Sequence, residues 1–224
     1  MRRFVACFVM FAFVSVVPAA FAQELTTEQV LAKLDEKARV FTSVQSSIKF
    51  QGVNFGIKLP EESGKLTIAM ANGSPRILFD ITEPEAARKK TLIDKGKGTM
   101  YTPGSNSFRT MSIDPKSEQL QLILLGFGTP VATINKGYKS EAKGRETMGG
   151  VQAVVLELTS ISKSTDEFPT ITLWLDPQTW TPIQTRLART PKKYNDFKYS
   201  NVQLNRSVSN GVFDLKMPKD AREQ

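Results

Sequence analysis

A strict alternation of apolar and polar residues over positions 169–187 is the feature that most constrains the fold of this chain. Three apolar residues alternate with side chains of another kind: Ile171, Leu173 and Leu175 against Thr170, Thr172 and Trp174. Period two is typical of a strand whose two faces meet different surroundings. Asp176 and Pro177 interrupt it, and a second alternation then follows, with Ile183 and Leu187 on one face and Gln184 and Arg186 on the other. The pattern predicts a β-hairpin with a short Asp-Pro turn.

Short period-two segments recur along most of the chain. Their apolar faces are Ile48 and Phe50; Leu66, Ile68 and Met70; Ile77, Phe79 and Ile81; and Val154, Leu156 and Leu158. After Gly52 the apolar set shifts by one residue to Val53, Phe55, Ile57 and Leu59, which predicts a bulge or a sharp bend. Lys95-Gly96 predicts a hairpin turn, and residues 144–150 are expected to connect two strands. No helix is interposed regularly, so we expect one large curved antiparallel sheet in a mainly β (α+β) fold.

Two helices are predicted beside the sheet. Thr26 and Gln29 form a capping box at the start of an amphipathic helix ending near Phe41. Asp114-Pro115 are start signals for a second, more apolar helix, which Gly126 or Gly128 can end. Residues 128–132 are expected to be irregular. The apolar stripe of the second helix makes it our candidate for a movable lid over the sheet.

The first 22 residues have the pattern of a secretory signal peptide. Arg2 and Arg3 precede an almost wholly apolar run over 4–17, and Ala20-Phe21-Ala22 gives the small-x-small cleavage pattern. We expect cleavage after Ala22, leaving residues 23–224 as one domain with no second interaction domain. The alternative is a membrane anchor, but the run is shorter than the ~20 residues that a spanning helix needs.

Composition favours a bacterial periplasmic protein with an anionic partner. Cys7 is the only cysteine, so the cleaved chain would have no disulfide. The net charge of the chain is +8, and removal of Arg2 and Arg3 leaves 28 basic against 22 acidic residues, or +6. A basic balance fits lipid headgroups or an acidic partner rather than nucleic acid, because aromatic residues do not interleave with the basic ones. Clusters such as Arg88-Lys89-Lys90 and Lys192-Lys193 are most often simply solvated faces.

The chain lacks the residues that most enzymes use. It has no histidine, and cleavage would remove its cysteine, so the commonest general base, nucleophile and zinc ligands are missing. No P-loop, G-x-S-x-G or G-x-G-x-x-G motif occurs, and the carboxylates are scattered. We therefore expect no catalytic residues, no metal site, no cofactor and no enzymatic activity.

The order of several short motifs resembles that of a known family. They are Gly64-Lys65-Leu66, Pro75-Arg76-Ile77-Leu78-Phe79, Lys95-Gly96 before Met100-Tyr101, Leu173-Trp174-Leu175-Asp176-Pro177 with Pro182, and Phe213-Asp214-Leu215-Lys216-Met217-Pro218. With the signal peptide and two helices, this order is similar to that of the outer-membrane lipoprotein carrier proteins, the LolA-like periplasmic chaperones. The resemblance covers nearly the whole chain after residue 22.

The resemblance implies an unclosed β-barrel, a curved half-barrel whose concave face is covered by helices. It also implies a monomer that takes acylated lipoproteins from an inner-membrane transporter and passes them to an outer-membrane acceptor. In the enterobacterial members an arginine directly before a proline helps to hold the lid. Here Ser74 precedes Pro75, so that arginine has no counterpart.

Face parity then gives a candidate hydrophobic cavity and lid. Its residues are Leu66, Ile68, Met70, Ile77, Phe79, Met100, Leu120, Ile123, Leu124 and Phe127. Taken one by one, each of them is better explained by ordinary core packing than by ligand contact. Three functions stay open: a periplasmic carrier of lipoprotein acyl chains or another lipid, a lipid- or lipoprotein-binding sensor or regulatory module of the same half-barrel type, and an enzyme. A carrier is our first expectation.

Overall fold

One sheet dominates the computed structural model of this chain, which describes residues 25–114, 117–162 and 168–224. The predicted signal peptide, residues 1–22, lies outside them. The strands are β1 (Ser43–Asn54), β2 (Ile57–Lys58), β3 (Glu62–Ala71), β4 (Ser74–Glu83), β5 (Lys89–Asp94), β6 (Lys97–Thr102), β7 (Ser107–Ser112), β8 (Tyr138–Met148), β9 (Val151–Ser160), β10 (Thr170–Leu175), β11 (Pro182–Thr190), β12 (Lys193–Leu204) and β13 (Arg222–Glu223).

The sheet is curved and unclosed, as predicted. Neighbouring strands follow the order β13-β7-β6-β5-β4-β3-β1-β12-β11-β10-β9-β8, with β2 paired to β1 alone. Within the described residues the two ends of this path, β8 and β13, do not pair with each other. All pairs are antiparallel except β13 with β7, which the sequence did not predict. Such a sheet leaves one broad inner face for helices to cover.

In the described part of the chain three α-helices accompany the sheet: α1 (Thr27–Arg39), α2 (Glu118–Leu124) and α3 (Val131–Gly137). The capping box predicted for α1 is present, because Thr26 accepts from the Gln29 N–H and the Gln29 side chain accepts from the Thr26 N–H. The predicted start of α2 at Asp114 is wrong: Ser117 is the N-cap, and its hydroxyl accepts from the Leu120 N–H. Pro115 lies outside the described residues.

Helix α3 replaces part of the segment expected to be irregular. Its N-cap is Pro130, whose side chain cannot accept a hydrogen bond, so the usual start signal is missing. The Asp35 carboxylate of α1 takes that role and accepts from the Val131 N–H at 3.2 Å. Among the described residues, no helix has both the length and the apolar character needed to cross a bilayer.

The predicted hairpin is present as β10 and β11. Ile171 pairs with Leu187 and Leu173 with Thr185. The connection spans residues 176–181 and is longer than predicted; the Asp176 carboxylate accepts from the Gln178 N–H at 2.7 Å and orders the turn. The prediction that Ile183 shares a face with Leu187 is wrong.

A register shift explains that error. Between Trp174 and Leu175 the pairing moves by one residue, so that Leu175 lies opposite Pro182. Ile183 therefore packs with Trp174 on the outer face, while Leu187 lies on the inner face.

Two other local predictions are wrong. Pairing of β1 with β12 is regular through Gly52, and the irregularity lies instead between Gln45 and Ser47. Strand β8 continues through Gly144 with a shift between Ala142 and Arg145, and only Gly149-Gly150 form the turn to β9. The strand patterns around both positions were predicted, but a pattern of alternation does not say which partner strand carries the extra residue.

The inner face carries two hydrophobic clusters. The α1 cluster joins α1 and α3 to β8–β11, and its buried members are Val30, Leu34, Leu125, Ile134, Tyr138, Val154, Leu156, Leu158, Phe168, Ile171, Leu173, Leu175 and Leu187. The α2 cluster joins α2 to β1 and β3–β5 through Val44, Ile48, Leu66, Ile68, Ile77, Ile81, Ile93, Leu120, Leu124 and Phe127. Each helix therefore buries its apolar stripe against one half of the sheet.

The outer face is covered in part by the C-terminal segment. Phe213 and Leu215 bury Leu78 of β4, and the Arg76 guanidinium lies 4.4 Å from the Phe213 ring centre. The inner and outer faces of β4 thus pack against different parts of the chain.

Candidate functional site

A cavity of about 180 Å³ lies at the junction of the α1 and α2 clusters; we call it the seam cavity. Its lining is Leu66, Phe79, Leu122, Ile123, Phe168, Thr185, Leu187, Phe197 and Tyr199. Leu66 and Ile123 belong to or pack on the α2 cluster, whereas Phe168 and Leu187 belong to the α1 cluster. The cavity exists because two separately packed halves of one sheet do not close completely over each other.

A second cavity of about 310 Å³ lies on the other side of α2, toward α3; we call it the α3 cavity. Its lining is Gln121, Leu122, Leu125, Thr129, Thr133, Ile134, Lys136, Gly137, Tyr138, Leu158, Ile161, Ser162 and Ile171. Leu122 lines both cavities. Displacement of α2 at Leu122 would therefore join them into one larger apolar space.

The C-terminal side of α2 is firmly held. Residues 125–129, which we call the clamp, are mostly buried. Gly126 has φ +81° and packs on the Pro182 ring, and a methyl group added at Gly128 would collide with the Phe41 ring. The Thr129 hydroxyl also donates to the Gln121 carbonyl at 2.9 Å. These contacts fix one end of α2 and make the clamp the pivot for any movement of the helix.

Helix α1 is fixed at both its ends. In addition to the Asp35 contact with α3, the Thr27 hydroxyl accepts from the Ala142 N–H of β8 at 2.9 Å. That N–H lies at the register shift of β8, where the ladder leaves backbone groups without a strand partner. These two contacts tie α1 to α3 and to β8.

Two hydroxyls are the polar groups of the seam cavity. Burial raises the pKa of Tyr199 to about 12, and the neighbouring Thr185 hydroxyl opposes part of that shift. Thr185 is 3% exposed; its contact with Tyr199 does not have normal hydrogen-bond geometry, and its Oγ1 has no other partner among the described residues. The Tyr199 ring packs edge-on against Phe127 with the ring centres 5.3 Å apart. Tyr199 thus stays neutral at physiological pH, and the cavity carries no charge.

The structure divides the ten predicted site residues into three groups. Leu66, Phe79 and Ile123 line the seam cavity. Ile68, Ile77, Leu120, Leu124 and Phe127 are buried in the α2 cluster behind it. Met100 is half-buried in the same row of paired residues as Phe79, and Met70 is 37% exposed near the end of β3.

Six lining residues were not predicted: Leu122, Phe168, Thr185, Leu187, Phe197 and Tyr199. All but Leu122 and Phe168 come from β11 and β12. For the four residues of β11 and β12, the sequence did carry a signal, the period-two spacing of Phe197 and Tyr199 and of Thr185 and Leu187. Assigning them to the inner face required the pairing of Thr185 with Phe197, which only the structure gives.

Ser74 is exposed at the start of β4. The following Arg76 does not replace the missing lid arginine. Its Nε donates to Asp94 at 3.1 Å and its Nη1 to Asn210 at 2.9 Å on the outer face. Within the part of the chain that the structure describes, α2 is held by the clamp and by apolar contacts.

The half-barrel architecture recurs in solved structures. An uncharacterized conserved protein from Thermus thermophilus is 13% identical over 88% of this chain and 98% of that chain, with a TM-score of 0.55. The fold is shared. The matching chain in the complex of MucA and MucB from Pseudomonas aeruginosa is 16% identical over 84% of this chain and 60% of that chain, with a TM-score of 0.50. A LolA superfamily protein from Nitrosomonas europaea is 18% identical over 85% of this chain and 98% of that chain, with a TM-score of 0.38.

Sequence comparison adds nothing to this fold assignment. No family model matches the chain, and no curated protein is significantly similar to it. The unclosed sheet with helices over its inner face is nevertheless the architecture that the motifs implied. The predicted fold, an unclosed antiparallel half-barrel, is confirmed.

Proposed function

We propose that this chain is a periplasmic carrier that shields lipoprotein acyl chains beneath α2 and transfers them from the inner to the outer membrane. The observation that carries the proposal is the pair of mainly apolar cavities that share Leu122, of which the seam cavity has no charged lining residue. Each buried methylene contributes ~0.8 kcal/mol, so an apolar trough can hold an alkyl chain without any charged contact. The proposal includes secretion with cleavage after Ala22, a monomeric state and the absence of enzymatic activity.

The size of the cavities supports a lid that moves. Ligand pockets usually span about 300–1,000 Å³. The seam cavity is smaller than that range, and the α3 cavity is at its lower limit. A long acyl chain would therefore require α2 to turn about the clamp, and the helix would return when the chain leaves. Reversible transfer needs this competition between lid and ligand.

Blocking the junction of the cavities tests the carrier role. Leu122→Trp would add bulk where α2 separates the two cavities. The protein is expressed from its full-length gene, collected from the periplasm and analysed by mass spectrometry for bound lipid. We expect the wild type to retain acyl lipid and to accept lipoprotein from inner-membrane vesicles. In Leu122→Trp the amount of bound lipid and the amount of accepted lipoprotein should each fall at least tenfold, while the variant stays folded.

Val40→Trp is the matched control, since Val40 is 60% exposed and lines neither cavity. It should behave like the wild type in both assays. A wild-type protein that carries no lipid and accepts no lipoprotein would contradict the proposal, as would equal lipid content in wild type and Leu122→Trp.

A regulatory module is the second candidate. It is favoured by the shared fold with MucB, which forms a complex with MucA, although this chain spans only 60% of that chain's length. A regulator would bind acyl lipid and a protein partner but would not release lipoprotein from inner-membrane vesicles. The vesicle assay therefore separates the two functions even when both proteins bind lipid.

A further inference from the structure

The turn between β1 and β2 exposes three large apolar side chains at one end of the sheet. Phe55 is 78% exposed, Ile57 71% and Leu59 48%. The sequence predicted these residues on one face of a strand, where burial would be expected. The structure instead places Phe55 and Gly56 in a tight turn, so that the apolar residues project from the end of the sheet.

Phe55 is an unusual residue for this turn. Both central residues have positive φ, 50° at Phe55 and 82° at Gly56, and the same pattern recurs at Asn72-Gly73 and Lys95-Gly96. Asparagine and glycine tolerate such a conformation, whereas a bulky aromatic residue is strained by it. Neither the turn nor the core explains a phenylalanine here, because its ring is neither favoured by the backbone nor buried.

Basic residues surround the same turn. The Gly56 N–H donates to the Lys192 carbonyl at 2.8 Å, and Val53 pairs with Tyr194, so the β11–β12 turn lies alongside. Residues 52–60 and 189–194 together contain four basic side chains and no acidic one. The four are Lys58, Arg189, Lys192 and Lys193. We call these two segments the tip.

We propose that the tip docks the protein on an anionic phospholipid membrane. The apolar side chains would enter the boundary between headgroups and acyl chains, and the lysines would lie against lipid phosphates. Apolar side chains with flanking lysines are the combination that binds such surfaces. An apolar site on a protein partner would account for Phe55 and Ile57, but it would leave the uniform positive charge of the tip without a role.

The tip also lies close to the proposed binding site. Leu59, Arg189 and Lys193 line a groove at this end of the sheet together with Phe168. Phe168 also lines the seam cavity. Docking at the tip would therefore bring the Phe168 side of the cavity to the membrane, where an acyl chain could enter or leave without crossing water.

Vesicle binding tests this docking surface. The secreted protein is sedimented with vesicles of phosphatidylethanolamine alone or with one third phosphatidylglycerol. We expect binding to the anionic vesicles that weakens with salt and falls at least tenfold in Phe55→Ser/Ile57→Ser. Each of Lys58→Gln, Lys192→Gln and Lys193→Gln should weaken it about fivefold. Phe55→Trp should show a blue shift of its fluorescence on anionic vesicles.

Two controls separate this surface from the cavities. Val40→Ser removes a similarly exposed apolar residue directly after α1 and should leave vesicle binding unchanged. Leu122→Trp should bind vesicles normally even if it carries no lipid, so the docking and carrier proposals fail independently. Equal binding to both kinds of vesicle, no binding by the wild type, or unchanged binding by Phe55→Ser/Ile57→Ser would overturn the proposal.

Discussion

At the scale of single residues, Thr185 places a buried polar atom where it lowers the stability of the fold. Its hydroxyl is buried at the wall of the seam cavity without a well-formed hydrogen bond. Burying an unpaired hydroxyl costs free energy, whereas a methyl group of the same shape has no such penalty. The polar atom therefore lowers the stability of an apolar site, and its removal should be favourable.

We predict that Thr185→Val raises the free energy of unfolding by about 1 kcal/mol. Urea denaturation would measure the change. Thr129→Val is the matched control, because that buried hydroxyl donates to the Gln121 carbonyl at 2.9 Å, and its loss should lower stability by about 1 kcal/mol or more. A similar loss of stability in both variants would mean that Thr185 has a hydrogen-bond partner after all.

At the scale of elements, the clamp decides where α2 sits. The Phe41 ring, just beyond α1, occupies the space next to Gly128, and Pro182 at the start of β11 fills the space next to Gly126. A helix of only seven residues has little stability of its own. Its position therefore depends on these contacts and on the α2 cluster.

We predict that Gly128→Ala lowers the free energy of unfolding by about 1–3 kcal/mol, because the new methyl group collides with the Phe41 ring. Phe41→Leu should recover part of the loss in the double variant, which a double-mutant cycle by urea denaturation would measure. Gly104→Ala is the control, since nothing lies near its added methyl group and its φ is not positive. Additive losses in the double variant would exclude this contact.

The elements also show how far the sequence leads. Strands and α1 could be predicted because alternation and a capping box are local signals. Helix α3 could not, because its N-terminus is capped by Asp35, a residue 96 positions earlier in the chain. Four of the nine residues that line the seam cavity, those of β11 and β12, were missed for the same kind of reason. Thr185 and Phe197 become neighbours through strand pairing, which local patterns do not contain.

At the scale of the whole molecule, the sheet keeps two separate packing surfaces. Ile77 and Phe79 of β4 face α2 and the seam cavity, whereas Leu78 between them lies under Phe213 and Leu215. Stability contributed by the outer surface should therefore be separable from ligand binding on the inner one.

We predict that Phe213→Ala lowers the free energy of unfolding by about 3 kcal/mol and leaves the affinity of the folded protein for an acyl probe unchanged. Leu66→Ala is the matched comparison, because it removes a similarly buried side chain from the wall of the seam cavity and should alter both quantities. Thermal denaturation and fluorescent fatty-acid titration would measure them. Loss of probe binding in folded Phe213→Ala would show that the two surfaces are coupled.

The separation between β8 and β13 has a consequence for the range of molecules that the chain can hold. In a closed barrel the hydrogen bonds between strands fix the circumference, and a wider ligand could enter only by breaking some of them. Here β8 and β13 are not paired with each other within the described residues, so they can move apart through small increases in twist along twelve neighbouring strands, with every ladder intact. Lipids with one, two or three acyl chains would then differ mainly in how far the sheet has to open to hold them. Selectivity for the number of acyl chains should therefore be weak.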